Sequence, residues 1–139
     1  MDQERILSKI DELDNYLEEL KNIKPNEFEE YENSIEKKRA CERLLHLSIE
    51  NALDICNLLV SEFRVGIPSD EDDIFTKLEQ KKIISKEMKN ILIQMKGLRN
   101  RLVHRYGEID NEKIFDIISN NLDDFEKFKE EIIKKINKK

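Results

Sequence analysis

Apolar side chains recur along this chain at intervals of three and four residues, the spacing of helices that bury one stripe. Ile6, Ile10, Leu13, Leu17 and Leu20 make the first run. Asp2 is placed to cap it, and it ends near Ile23, before Lys24-Pro25. Asn26 with Glu29 three residues later reads as a capping box. The weakly apolar segment Phe28 to Ile35 predicts a short helix or an irregular lead-in. A long central helix follows, from about Ser34 to Phe63. Leu45, Ile49, Ala52, Leu53, Cys56, Leu59, Val60 and Phe63 line it, and Leu44, Leu47, Ile55 and Leu58 add apolar surface on other faces. A helix apolar nearly all round belongs in the middle of its bundle. One polar stripe remains: His46, Glu50, Asp54, Asn57 and Ser61.

Gly66 and Pro68 stop that helix. Ser69, ahead of Asp70, Glu71, Asp72 and Asp73, caps a short helix with Ile74, Phe75 and Leu78 inside. Ile83-Ile84 make a turn, and Ser85 caps the next helix. Its core side is Met88, Ile91, Leu92, Met95, Leu98 and Leu102; Tyr106 is its last residue and Gly107 its stop. Asp110 caps one final helix carrying Ile114, Ile117, Ile118, Leu122, Phe125, Phe128, Ile132 and Ile136. The basic tail from about residue 134 to 139 is expected to fray. Few segments alternate with period two, and Gly and Pro number only 3 and 2. The fold class is therefore all-α: a single domain over 1–139, an antiparallel bundle of four long helices plus one or two short ones.

Composition refines this picture. A chain of 139 residues can bury a core without staples. Cys41 and Cys56 lie on one helix, about 22 Å apart, too far to bridge; free buried thiols in a reducing compartment are expected. Met1 leads straight into Asp2-Gln3-Glu4-Arg5, with no signal peptide, and no apolar run approaches the ~18 residues of a membrane span. A soluble, cytoplasmic protein with no membrane partner is expected. The net charge of −6 argues against a bulk electrostatic grip on nucleic acid. A local grip stays open, because Met88 to Gly107 holds no acid while Lys89, Lys96, Arg99, Arg101 and Arg105 all fall inside.

That window ends in Arg99 to Tyr106, RNRLVHRY. Part of it is what any helix end attracts, since a last turn favours cations; this covers Arg105 and helps with Arg101. Arg101 and Arg105 also share a face at a spacing of four and suit an RNA phosphate, and the two readings stand side by side. Arg99 and Tyr106 differ by about 20° around the helix, and Asn100 and His104 share a face, so that the amide can orient the ring. Arg99 and His104 differ by about 140°, so they converge more easily if two copies of the helix meet across a two-fold axis. Gly97, in mid-helix at a cost of roughly 1 kcal/mol against alanine, fits a close approach there. Histidine moves protons near neutral pH, and arginine stabilises charge developing on phosphorus. Together they suffice for RNA transesterification by a ribose 2′-hydroxyl. No zinc spacing, Gly-rich phosphate loop or GxSxG is present, so neither metal nor cofactor is expected.

The arrangement Arg99-Asn100-(three residues)-His104-x-Tyr106 resembles the RX4HXY motif of HepT-type toxins of the HEPN superfamily of all-helical domains. ERLLHLSIENALDICNLL (Glu42 to Leu59) is similar to that family's central helix, and GLRNRLVHRYGEID (Gly97 to Asp110) to its signature segment. IFTKLEQKKIISKEM (Ile74 to Met88) matches the short helix and turn between them, so the similarity covers roughly residues 1 to 135. The resemblance implies a homodimeric, metal-independent endoribonuclease toxin with Arg99 and His104 catalytic and Asn100 supporting. It also implies a nucleotidyltransferase (MNT) antitoxin that can transfer AMP to Tyr106. A modified Tyr106, on the arginine's face, would block RNA by bulk and like charge. Two rival readings remain: a non-catalytic helical module binding a nucleotide or a nucleotidyltransferase, and a plain scaffold. The stripe His46, Glu50, Asp54 and Asn57 lines the cleft, tunes His104, or is a solvated edge.

Overall fold

The computed structural model describes residues 2–104 and 109–138. Among these residues the chain forms α1 (Asp2–Ile23), α2 (Phe28–Glu32), α3 (Ile35–Glu62), α4 (Glu71–Gln80), α5 (Lys86–His104), α6 (Asn111–Asn120) and α7 (Asp123–Lys138). The four long helices α1, α3, α5 and α7 have 22, 28, 19 and 16 residues, and the described residues form no strand. None of these helices is long and apolar enough to cross a membrane.

On α1, Ile6, Ile10, Leu13, Leu17 and Leu20 are all buried and spaced alternately by four and three, a seam laid along α3. On α3, Cys41, Leu45, Ile49, Ala52, Leu53, Ile55, Cys56 and Leu59 are buried around most of the circumference. That burial fits its position, since α3 touches α1, α2, α4, α5 and α6. Both cysteines are free and buried, as expected. Burial, then the neighbouring Glu42, pushes the Cys41 thiol up to about 11; burial alone pushes Cys56 higher still.

Several boundaries differ from those the pattern predicts. Instead of an Asn26 capping box, α2 starts after Glu27, which makes no side-chain cap. Ser34 does cap α3, accepting from the Lys37 N–H at 3.2 Å. The end of α3 comes before Gly66: Arg64 takes the left-handed position at φ 51, and the Val65 N–H returns to the Val60 carbonyl at 3.2 Å. The same closure recurs after α4, with Lys82 at φ 60 and the Ile83 N–H on the Leu78 carbonyl at 2.9 Å. Each non-glycine residue there costs about 1–2 kcal/mol, offset by the burial of Val65 and Ile83 just beyond. At the start of α4 the cap is Asp70, one residue later than Ser69, and it accepts from Asp73 N–H at 2.8 Å. The single final helix is in fact two. α6 ends at Asn120, and a tight turn, with Asp124 N–H on the Asn121 carbonyl at 3.1 Å, begins α7. The short helices are therefore three.

α3 and α5 run antiparallel: Arg99 meets Glu50, while Leu102 and Val103, further along α5, face Arg39, Arg43 and His46, earlier on α3. α7 runs back along α5, with Glu131 on Ser85 at one end and Phe125 beside Leu98 toward the other.

Candidate functional site

Ser85 starts α5 as its sequence suggests, its hydroxyl accepting from the Met88 N–H at 3.0 Å. From there Met88, Leu92, Met95, Leu98 and Leu102 turn into the core. Arg99, next to Leu98, is carried to the edge where α5 meets α3 and α4, with only 16% of its side chain exposed. All three guanidinium nitrogens are engaged there. Nη1 donates to Glu50 Oε1 of α3 at 2.6 Å. Nη2 donates to Glu71 Oε1 and Oε2 of α4 at 2.6 and 2.8 Å. Nε donates to Asn100 Oδ1 at 2.9 Å. Burial works against the charge, but the hydrogen bonds to Glu71 and then Glu50 outweigh it and hold Arg99 above its ordinary pKa. One turn earlier, Lys96 Nζ meets Asp72 Oδ1 at 2.6 Å. The acidic first turn of α4 thus neutralises part of the acid-free window of α5.

The polar stripe of α3 extends this network. Arg43 Nη1 lies 3.2 Å from His46 Nδ1, and an arginine can only donate, so Nδ1 accepts and the ring proton sits on Nε2. Nε2 in turn faces Glu50 Oε1 at 4.0 Å. The His46 pKa is lowered, first by burial; Glu50 opposes the shift, and Arg43 and Arg99 add to it. The result is a neutral imidazole between two arginines and the carboxylate that holds Arg99. Asp54 and Asn57 lie outside this network: Asp54 accepts from Lys9 Nζ of α1 at 3.3 Å, and Asn57 donates to the Leu53 carbonyl at 3.2 Å.

His104, the last residue of α5, is exposed. Within the chain it and Arg99 stand on different sides of α5, as their spacing requires. Asn100 accepts from Arg99 through its amide oxygen, which orients the guanidinium. Arg101 lies on another side of α5, lining a hollow of about 420 Å³ with Gly97, Lys113, Asp116 and Asp124. A Cβ at Gly97 meets nothing within 4 Å, so the close approach its position suggests is not made among the described residues. Arg105 and Tyr106 lie outside the described residues. Glu71 is the site residue that sequence reasoning missed; the acid run Asp70 to Asp73 facing an acid-free helix was the available signal.

The ribonuclease HepT-like family model matches residues 13–132. The chain is 32% identical over 114 residues to a tRNA nuclease HepT of Aphanizomenon flos-aquae, covering 82% of this chain and 78% of that protein. It is 35% identical over 79 residues to an mRNA nuclease HepT of Shewanella oneidensis, covering 57% of this chain and 59% of that protein. A crystal structure of a toxin–antitoxin with AMP-PNP superposes with a TM-score of 0.85 at 25% identity, over 93% of this chain and 97% of that one. A tri-AMPylated Shewanella oneidensis HEPN toxin in complex with MNT antitoxin gives 0.85 at 26% identity, over 93% and 96%. With its helical order, its arginine-to-histidine segment at the end of α5 and a match over most of its length, the chain belongs to the family of HepT-like ribonucleases.

Proposed function

We propose that this chain is the endoribonuclease toxin of a toxin–antitoxin pair, cutting RNA without a metal at a site built between two copies of the chain. Membership of a ribonuclease family gives the class of reaction. The observation that carries the rest is Arg99, fixed at a three-helix junction five residues before an exposed His104 on the same helix. His104 takes the proton of a ribose 2′-hydroxyl, and the oxygen attacks the adjacent phosphorus. The 5′-oxygen leaves as it takes a proton from the imidazolium so formed, directly or through water, and a 2′,3′-cyclic phosphate remains. Arg99 donates to the phosphoryl oxygens as charge builds on them. Because the two side chains stand on different sides of α5, the histidine of one protomer works with the arginine of the other. Asn100 steadies the guanidinium, and Arg101 and Arg105 steer the flanking phosphates.

The partner is a nucleotidyltransferase antitoxin. It transfers AMP from ATP to the Tyr106 hydroxyl, releasing pyrophosphate. The AMPylated toxin and the AMP-PNP complex among the similar structures support this step. The test is cleavage of RNA by pure protein in EDTA, with and without His104→Ala. Wild type should cut, leaving cyclic phosphate ends, and the variant should not. Equal cutting by both removes His104 from the mechanism; a strict Mg²⁺ requirement removes the metal-free route. Intact mass after co-expression with the antitoxin should show AMP on the Tyr106 peptide.

One observation favours a second reading, a non-catalytic helical module that binds a nucleotide or the nucleotidyltransferase. Arg99 is already held by two carboxylates, and phosphate must displace one of them. Tight antitoxin binding by unmodified protein with no RNA cleavage would select that reading.

A further inference from the structure

At the far end of α5 from His104, the α4–α5 turn and the last turns of α7 border an open hollow of about 630 Å³. Five lysines line it: Lys82 and Lys86 from the turn and the start of α5, and Lys134, Lys135 and Lys138 from α7. Its two carboxylates already have partners. Glu131 accepts from the Ser85 N–H and hydroxyl at 2.7 and 3.0 Å, and Glu79 faces Lys89 at 3.9 Å. Lys135 lies over the Phe63 ring at 5.9 Å. Among the described residues Lys82, Lys86, Lys134 and Lys138 form no ion pair. On a chain of net charge −6, this is a concentrated cationic basin.

Helix stability explains only part of it. The C-terminal dipole of α7 favours Lys134, Lys135 and Lys138. It does not explain Lys86, the first residue of α5, where the dipole is already positive. Nor does it explain Lys82, kept at φ 60 where glycine would sit without strain. An anion in the hollow would interact favourably with both ammonium groups. The helix geometry then links it to the site. Lys86 and His104 are eighteen residues apart, five full turns, so they lie on one line along α5 about 27 Å apart. Ile93 and Gly97 fall within about 20° of that line.

We propose that this hollow is a second binding site for the phosphodiester backbone of RNA, gripping the strand about eight nucleotides from the cut at ~3.4 Å per nucleotide. The inference rests on the ribonuclease reading above and adds to it a handhold for long substrates. It gives an acidic protein a local cationic contact for RNA in place of a favourable net charge.

The test compares a labelled tRNA with a labelled tetranucleotide, bound by fluorescence anisotropy to His104→Ala protein with or without Lys134→Glu/Lys138→Glu. Circular dichroism confirms that the helices persist. The charge reversal should weaken tRNA binding about tenfold relative to the tetranucleotide. The slope of log K against log salt should become shallower by about 0.7 for each phosphate no longer neutralised. Lys134→Arg/Lys138→Arg should keep wild-type binding. If tRNA affinity and slope are unchanged, the lysines are solvated surface and the inference is wrong. If antitoxin binding falls instead of RNA binding, the hollow serves a protein and the inference is wrong in favour of that partner. If protein with all its lysines neither binds tRNA nor, with His104 intact, cuts it, the functional reading itself has failed.

Discussion

Replacing Arg99 by lysine separates what this residue holds together from what it is proposed to do chemically. Arginine makes four charge-assisted hydrogen bonds here, to Glu50, Glu71 and Asn100. A lysine ammonium keeps the charge but lacks the planar fork, so it serves one carboxylate and leaves the other to water. Charge-assisted bonds are worth about 1.5–3 kcal/mol when well buried. Arg99 is 16% exposed but Glu50 and Glu71 are 38% and 40% exposed, which brings each broken bond toward the ~0.2–1 kcal/mol of partly screened pairs. Three broken bonds then amount to about 1–2 kcal/mol, or roughly 3–7 °C in Tm for a chain of this size. The assay is thermal and urea denaturation alongside RNA cleavage, in wild-type and in Glu50→Gln/Glu71→Gln backgrounds. Arg99→Lys should cost its full stability in the first background and about 0.5 kcal/mol or less in the second, while cleavage falls at least about 100-fold in the wild-type background. A Tm within about 1 °C of wild type for Arg99→Lys would refute the clamp.

Other outcomes follow from single features. His46 has a lowered pKa, so its neutral form belongs to the folded state. Its contribution is present above the unfolded value near 6.5 and is lost as pH falls through the lower folded value; His46→Gln should flatten part of the decline in urea midpoint between about pH 7 and pH 5, and equal declines would count against the buried neutral ring. With Cys41 at about 11 and Cys56 higher, a thiol-specific disulfide reagent at about pH 8 should modify neither cysteine in native protein and both in denaturant; fast native labelling would show that α3 opens. Gly97→Ala should raise the stability of the single chain to urea by roughly 0.5–1 kcal/mol, because its Cβ meets nothing. The same variant should lower cleavage if a second chain or RNA approaches that spot, and unchanged cleavage would show that neither does.

Much of this architecture is legible from spacing alone. The α1 seam and the all-round burial of α3 follow from where apolar residues stand, since burial is what that periodicity encodes. The break between α6 and α7 is invisible to the same reading. Ile114, Ile118, Leu122 and Phe125 continue the three-and-four spacing straight across it, while Asn120-Asn121 ahead of Asp123-Asp124 is the weaker signal that marks the turn. Helix ends at Arg64 and Lys82 escape because neither residue prefers the left-handed region it occupies. At the site, residue identity singles out Arg99 and His104, and helical geometry their divergence. The carboxylates on Arg99 are another matter. Glu50 stands in a stripe readable as a solvated edge, and Glu71 in an acidic first turn that the helix dipole already accounts for. Only the packing of α3 and α4 against α5 brings those two acids, 49 and 28 residues away in sequence, onto one guanidinium.

The Arg99 clamp also bears on how such a protein can be disarmed over generations. A lesion at His104 removes an exposed side chain and leaves the bundle whole, whereas a lesion at Arg99 loosens the junction of three helices along with the chemistry proposed for it. Selection against the proposed toxicity alone tolerates either lesion. Selection to keep a folded chain that still engages the proposed antitoxin tolerates only the first. Disarmed descendants that persist as intact proteins should therefore retain the arginine and its two carboxylates, and carry their loss at the histidine.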